Sequence, residues 1–111
     1  MSISFSVTAY NEYDPTRAKG ARFMRSLSAA QANPAIDEIL VTDDGSDDYA
    51  WLTEQMQQYP EIKLFHNEQN LGVFLNKIES VANATGDWVI LSDSDNYKDQ
   101  LQENQLNHSN Q

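Results

Sequence analysis

The chain has 111 residues, about 40% of them hydrophobic, no cysteine, and a formal charge of −10 from 17 acidic against 7 basic side chains. That length supports one domain around one core, and the lack of cysteine excludes disulfides and thiolate metal sites and fits a reducing, cytoplasmic setting. So acidic a chain repels nucleic-acid backbones and anionic membranes, and no apolar run approaches the ~18 residues that stable membrane insertion needs.

Strand-like and helix-like runs alternate along the sequence. Ile3 to Thr8 reads as a short strand that ends at Ala9-Tyr10-Asn11-Glu12. Asp14-Pro15 then opens a helix, Asp as N-cap and Pro where its missing N–H costs nothing. Phe23, Leu27 and Ala30 recur at helical spacing until Asn33-Pro34 stops it. Ile36 to Thr42 is the second strand, followed by Asp43-Asp44-Gly45-Ser46-Asp47-Asp48. Ser46 or Asp47 is expected to cap a second helix carrying Trp51, Leu52 and Met56, which ends at Tyr59-Pro60. Ile62 to His66 is the third strand and Asn67 to Gly72 a polar turn. A third helix starts near Val73, with Leu75, Ile78, Val81 and Ala82 expected inward and Gly86 as its C-cap. Trp88 to Ser92 is a nearly continuous apolar strand, the pattern of one buried on both faces.

Strands alternating with crossover-length helices imply an α/β fold with a mostly parallel sheet and right-handed connections. In such sheets ligands bind outside the carboxyl ends of the strands. The polar clusters fall there: Tyr10-Asn11-Glu12, Asp43-Asp44, and Asp93-Ser94-Asp95.

Each cluster has a chemical reading and an ordinary one. Asp93 and Asp95, leaving an apolar strand, suit Mg²⁺ or Mn²⁺, hard cations that take one or two carboxylates plus substrate phosphates; Asp-Ser-Asp-Asn is also common turn chemistry. In Asp43-Asp44-Gly45-Ser46 a carboxylate could accept from the imide N–H of a base, or the residues could simply make a turn and a cap. Thr8, Tyr10 and Asn11 could wall a nucleoside pocket, or Tyr10 could be half-buried packing. Lys77 offers a phosphate or base contact, or a solvated helix position. His66 has no second ligand at zinc spacing and reads as structural. Arg17, Lys19, Arg22 and Arg25 read as the solvated face of the first helix, and the sequon at Asn83-Ala84-Thr85 carries no weight without a secretion signal.

In order and in register, these pieces resemble the N-terminal half of the family-two glycosyltransferases. The residues that carry the likeness are Ala9-Tyr10-Asn11-Glu12, Asp43-Asp44-Gly45-Ser46, Asn70-Leu71-Gly72, Ala84-Thr85-Gly86-Asp87-Trp88 and Asp93-Ser94-Asp95, across residues 2–96. The resemblance implies a Rossmann-like, three-layer α/β/α arrangement with strand order 3-2-1-4, the first half of a GT-A fold. It implies a donor domain over residues 1–96 and a polar tail over 97–111, with a short helix as an option for the tail. It implies that Thr8, Tyr10, Asn11, Glu12, Asp43, Asp44 and Lys77 surround the nucleotide, Asp44 on the base. Asp93 would face the ribose or a metal-bound water, and Asp95 would ligate Mg²⁺ or Mn²⁺ under the diphosphate. The implied substrate is a uridine- or deoxythymidine-linked sugar, transferred to an unknown acceptor with inversion.

The departures from the family pattern set two further expectations. The carboxylate base that takes the acceptor hydroxyl's proton has no matching motif after Asn96, where only Asp99 and Glu103 carry carboxylates. The alternative to an enzyme is therefore a non-catalytic nucleotide-sugar-binding module or an inactive truncated remnant. The fourth strand would also be left as an edge, which either the tail covers, with Leu101 and Leu106 as anchors, or a second copy pairs with, and self-association into a homo-oligomer is the expectation. A phospho-acceptor signalling domain fits poorly, since it needs an acidic pair after the first strand and an acceptor Asp after the third.

Overall fold

The computed structural model describes residues 1–11 and 19–92, without the side chains of residues 19–22. Four strands, β1 (Ile3–Ala9), β2 (Glu38–Asp43), β3 (Lys63–His66) and β4 (Trp88–Ser92), form one sheet in the order β3-β2-β1-β4. Every pairing is parallel, with Ala9 against Asp43, Asp43 against His66, and Val7 against Ser92. Helices α1 (Lys19–Gln31), α2 (Tyr49–Met56) and α3 (Val73–Asn83) make the crossovers. The element order, the parallel sheet and the 3-2-1-4 arrangement are those expected. The helix start at Asp14-Pro15 and everything from Asp93 onward, the 97–111 tail included, lie outside the described residues.

Right-handed crossovers dictate the layering. The chain steps from β1 to β2 to β3 in one direction, which puts α1 and α2 on one face. It then returns past β1 to β4, which puts α3 on the other. The alternation in β1 suits this split. Val7 and Ala9, with Ile39 and Val41 of β2, form an apolar core with Phe23, Leu27 and Ala30 of α1 and Leu52 and Met56 of α2, all buried.

The opposite face is mostly polar, around one fully buried leucine, Leu40, which pairs with Ser6. Ser4, Ser6, Thr8 and Thr42 are fully enclosed there, and α3 meets them with Asn76 and Ser80, its buried residues. Ser6 Oγ donates to the Ser80 carbonyl at 2.8 Å and lies 2.6 Å from Ser80 Oγ. Asn76 Nδ2 donates to the Thr42 carbonyl at 3.1 Å, and Asn83 Nδ2 to Thr42 Oγ1 at 3.4 Å. This corrects the expected orientation of α3. Leu75, Ile78 and Val81 are 49%, 49% and 45% exposed instead of inward, and Ala82 is exposed as well. Small hydroxyl residues let helix and sheet approach closely, and their hydrogen bonds make burial of polar groups tolerable.

Three smaller expectations also change. Asp48 is the N-cap of α2, without a side-chain capping bond, because the Ser46 hydroxyl is turned instead to Asp43. The C-cap of α3 is Ala84, in an extended conformation. Gly86 serves a close approach: a Cβ there would stand 2.5 Å from Ser4 Oγ and 2.9 Å from Ser4 N. Finally, β4 is apolar but not buried on both faces: Trp88 is 62% exposed, and among the described residues β1 is its one neighbouring strand.

The amino-terminal rim of the sheet closes around Glu38. Its carboxylate accepts from Ser4 Oγ (2.7 Å), Thr85 N (2.9 Å), Thr85 Oγ1 (2.7 Å) and Lys63 Nζ (2.6 Å). Desolvation pushes its pKa up, but the bonds from Lys63, Thr85 and Ser4 outweigh that and bring it down to about 2. The Ala84-Thr85-Gly86-Asp87-Trp88 motif thus works at the amino-terminal rim, the end opposite the loops that follow β1, β2 and β3. Asp87 there accepts from the Ser2 amide at 3.1 Å. Among the described residues, no helix is long and apolar enough to cross a membrane.

Candidate functional site at the carboxyl rim

At the carboxyl rim the strand ladder runs on into the loops. The Asp44 amide donates to the Ala9 carbonyl at 2.9 Å, and the Asn67 amide to the Asp43 carbonyl at 2.8 Å. Three loops, after β1, β2 and β3, are therefore hydrogen-bonded side by side before any side chain takes part.

Asp43 and Asp44 lock these loops from within. The Asp43 carboxylate is fully buried and accepts from Ser46 Oγ at 2.5 Å, Ser46 N at 3.1 Å and His66 Nδ1 at 2.8 Å. The His66 ring stacks on Tyr49, with centroids 3.7 Å apart and planes 20° off parallel. Burial, and then the charge of Asp43, push the Tyr49 phenol up, so that ring stays neutral. Ser46 also accepts from the Asn11 amide at 2.8 Å, while Asn11 Oδ1 accepts from the Asp47 amide at 2.9 Å. The hydroxyl thus relays one hydrogen bond from the β1 loop to Asp43. Asn11 adopts the left-handed conformation, φ 48°, which Asn tolerates better than most residues.

Asp44 is equally enclosed. Its Oδ1 accepts from Leu71 N at 2.7 Å and Asn67 Nδ2 at 3.2 Å, its Oδ2 from Gly72 N at 3.0 Å, and its carbonyl from Asn70 Nδ2 at 3.1 Å. The Asn70-Leu71-Gly72 motif is therefore the partner of Asp44. Gly45 completes the fit: its φ is +71°, and a Cβ would stand 2.8 Å from Asn70 N. Asn67 donates on to Asn76 Oδ1 at 2.8 Å, which ties the rim to α3.

The expected site residues are accordingly placed as follows. Asn11, Asp43 and Asp44 come together through Ser46 and the 67–72 turn. Thr8 is buried near the carboxyl end of β1, its Oγ1 donating to the carbonyl of Ser92 on the neighbouring β4 at 3.5 Å. Tyr10 is partly exposed on the rim. Lys77 lines a groove of about 430 Å³ with Phe74, Ile78, Val81, Ala82 and Leu91. Glu12, Asp93 and Asp95 lie outside the described residues, and among the described residues no cluster of three or more His, Cys, Asp or Glu could hold a metal. Sequence reasoning missed Ser46, Asn67 and Asn76 as organisers of the rim. A signal for Asn76 was present, since Asn76, Ser80 and Asn83 recur at helical spacing.

A parallel α/β sheet whose chain reverses direction between β1 and β4 defines a class of proteins that bind ligands at that reversal. Residues 4–105 match the model of glycosyl transferase family 2, and the chain belongs to that family. It is similar in fold to S. aureus TarS 1-349 solved in complex with UDP, at 24% identity and a TM-score of 0.59, over 86% of this chain and 28% of that one. It is also similar to a structure of S. aureus TarS, at 28% identity and a TM-score of 0.63, over 86% of this chain and 17% of that one. The chain thus spans well under a third of the length of these relatives. No curated protein sequence matches it.

Proposed function

We propose that this chain binds the nucleoside diphosphate of an activated sugar at the carboxyl rim of its sheet, as the donor half of an inverting, metal-dependent glycosyltransferase. The observation that carries this reading is the interlocked set of loops after β1, β2 and β3 at the carboxyl rim, next to the β1/β4 pairing where Thr8 bridges to Ser92 and the sequence continues into Asp93-Ser94-Asp95. UDP in the TarS complex supports a uridine nucleotide as the ligand class.

In this reading the Tyr10 ring, on the accessible part of the rim, flanks the base. Asp43 and Asp44 hold the pocket's shape: with no accessible surface, neither carboxylate meets a base edge unless the 67–72 turn opens. Asp95 and Asp93 would hold Mg²⁺ or Mn²⁺, whose carboxylate donor set is a suitable one. That ion supplies positive charge against the diphosphate of the donor and of the leaving nucleotide. It also meets the need of a chain with charge −10 to accept an anion. Inversion further needs a carboxylate within hydrogen-bond reach of the acceptor hydroxyl. We assign that role to no residue here, so the proposal for this chain is donor binding, with turnover completed by further polypeptide.

Calorimetric titration with UDP and with dTDP, each with and without Mn²⁺, tests the reading. Metal-dependent binding that disappears in Asp95→Ala is expected; no binding of either nucleotide in the presence of metal would sink it.

A further inference from the structure

His66 sits on β3, two strands away from β1, yet it begins a run of contacts that ends beside Tyr10. Strand register places Ala9, Asp43 and His66 in one row across β1, β2 and β3. Side chains in one row of a sheet point to the same face, and here the Asp43 carboxylate and His66 Nδ1 meet at 2.8 Å. A carboxylate only accepts, so Nδ1 carries a proton, and in the neutral ring Nε2 is bare.

Asp43 divides its two oxygens between its donors. Oδ1 takes the Ser46 hydroxyl, while Oδ2 takes His66 and, at 3.1 Å, the Ser46 amide. His66 is therefore the shorter contact of Oδ2, and without it a fully buried oxygen keeps one longer bond. An underpaired buried carboxylate is costly, so it would turn toward another donor or take up a proton. The next bond depends on its staying put. The Ser46 hydroxyl gives its single proton to Asp43, which leaves its lone pairs to accept the Asn11 amide at 2.8 Å. Were Asp43 to turn or become protonated, that hydroxyl would rotate and the Asn11 amide would lose this acceptor. Asn11 has the left-handed backbone, φ 48°, a conformation that persists where its surroundings fix it.

We propose that His66 is a positioning residue of the nucleotide pocket: its Nδ1–H holds Asp43, Asp43 orients Ser46, and Ser46 fixes Asn11 and with it the adjoining Tyr10. This rests on the reading that a nucleoside diphosphate binds at the rim with Tyr10 against its base. The stack on Tyr49 has a separate task, setting the plane of the imidazole. Each link is a bond inside the rim, independent of what packs outside it.

Two substitutions separate the hydrogen bond from the ring. His66→Phe keeps a ring against Tyr49 and removes Nδ1–H, whereas His66→Asn loses the ring and returns an amide N–H in place of Nδ1. In the full chain with Mn²⁺, His66→Phe should raise the Kd for UDP about tenfold, and His66→Asn should stay within about threefold of wild type. Exchange of the Asn11 amide without nucleotide, followed by NMR, should speed up in His66→Phe and remain near the wild-type rate in His66→Asn. The reverse order of the two variants would show a packing role and overturn the proposal. Nitrogen-15 NMR of the wild-type imidazole needs no variant: the neutral ring should carry its proton on Nδ1, and a proton on Nε2 alone would refute the relay. Wild type that binds neither UDP nor dTDP would end the donor reading and the pocket role together. Wild-type binding with unchanged affinity in His66→Phe would overturn the role of His66 alone.

Discussion

The two faces of the sheet are built on different physics. Toward α1 and α2 it presents Val7, Ala9, Ile39 and Val41 to Phe23, Leu27, Leu52 and Met56, an apolar core without direction. Toward α3 it presents Ser4, Ser6, Thr8 and Thr42 to Asn76 and Ser80, buried as completely but held by hydrogen bonds with fixed partners. The first arrangement supplies most of the stability, because apolar burial dominates folding. The second fixes where α3 starts, and with it the 67–72 turn that Asp44 grips. Stability and site geometry are thus assigned to opposite layers.

Substitutions separate the two. The largest effect belongs to the apolar face: Leu27→Ala, at a fully buried position, should cost roughly 2–5 kcal/mol in urea unfolding and leave nucleotide affinity of the folded fraction unchanged. On the polar face, Asn76→Ala removes the donor to the Thr42 carbonyl and the acceptor of Asn67. Leaving such buried groups unpaired costs about 1–3 kcal/mol, and here nucleotide affinity should fall too, because the rim loses its tie to α3. Equal loss of affinity in both variants would erase the distinction between the layers.

Asp44→Asn sharpens the same comparison at the rim. The amide keeps the shape but loses the charge and one acceptor that now serve Leu71 N, Gly72 N and Asn67. If Asp44 holds the turn, unfolding free energy drops by about 1–3 kcal/mol and UDP and dTDP affinities fall together. Should Asp44 instead read the base, affinity would drop with stability intact.

How much of this could be read in the sequence follows from the same contrast. The parallel sheet and its helices were legible because apolar runs and their spacing report on apolar burial, and α1 with Phe23, Leu27 and Ala30 inward is such a case. The orientation of α3 was not, because its apolar stripe faces away from the sheet, while the partner that decides the orientation is the Ser4-Ser6-Thr8 face of β1. That alternation was visible, but reading it as a buried face requires knowing that Ser80 and Asn76 lie opposite. At the rim, the Asp43-Asp44-Gly45-Ser46 and Asn70-Leu71-Gly72 motifs were legible as pieces. That one grips the other is a contact across 27 residues, from Asp44 to Leu71, and no local pattern encodes it.

The smallest effect lies at the opposite rim and depends on pH. Glu38 has its pKa lowered to about 2 from the ordinary 4.5. A carboxylate depressed on folding contributes stability above its unfolded pKa and loses it as pH falls toward the folded one. The Glu38 contribution should therefore be complete above about pH 4.5 and fade between there and about pH 2. Other carboxylates titrate in that window, so the readout is the difference between wild type and Glu38→Gln in urea-unfolding free energy. Expected is a gap that narrows as pH falls, while Lys63→Ala costs no more than about 1 kcal/mol at neutral pH, because Lys63 is half exposed. A gap constant from neutral pH to the acid limit would show that Glu38 acts by packing alone. The Ser4 and Thr85 bonds argue otherwise, since both residues donate to a carboxylate whose charge protonation removes.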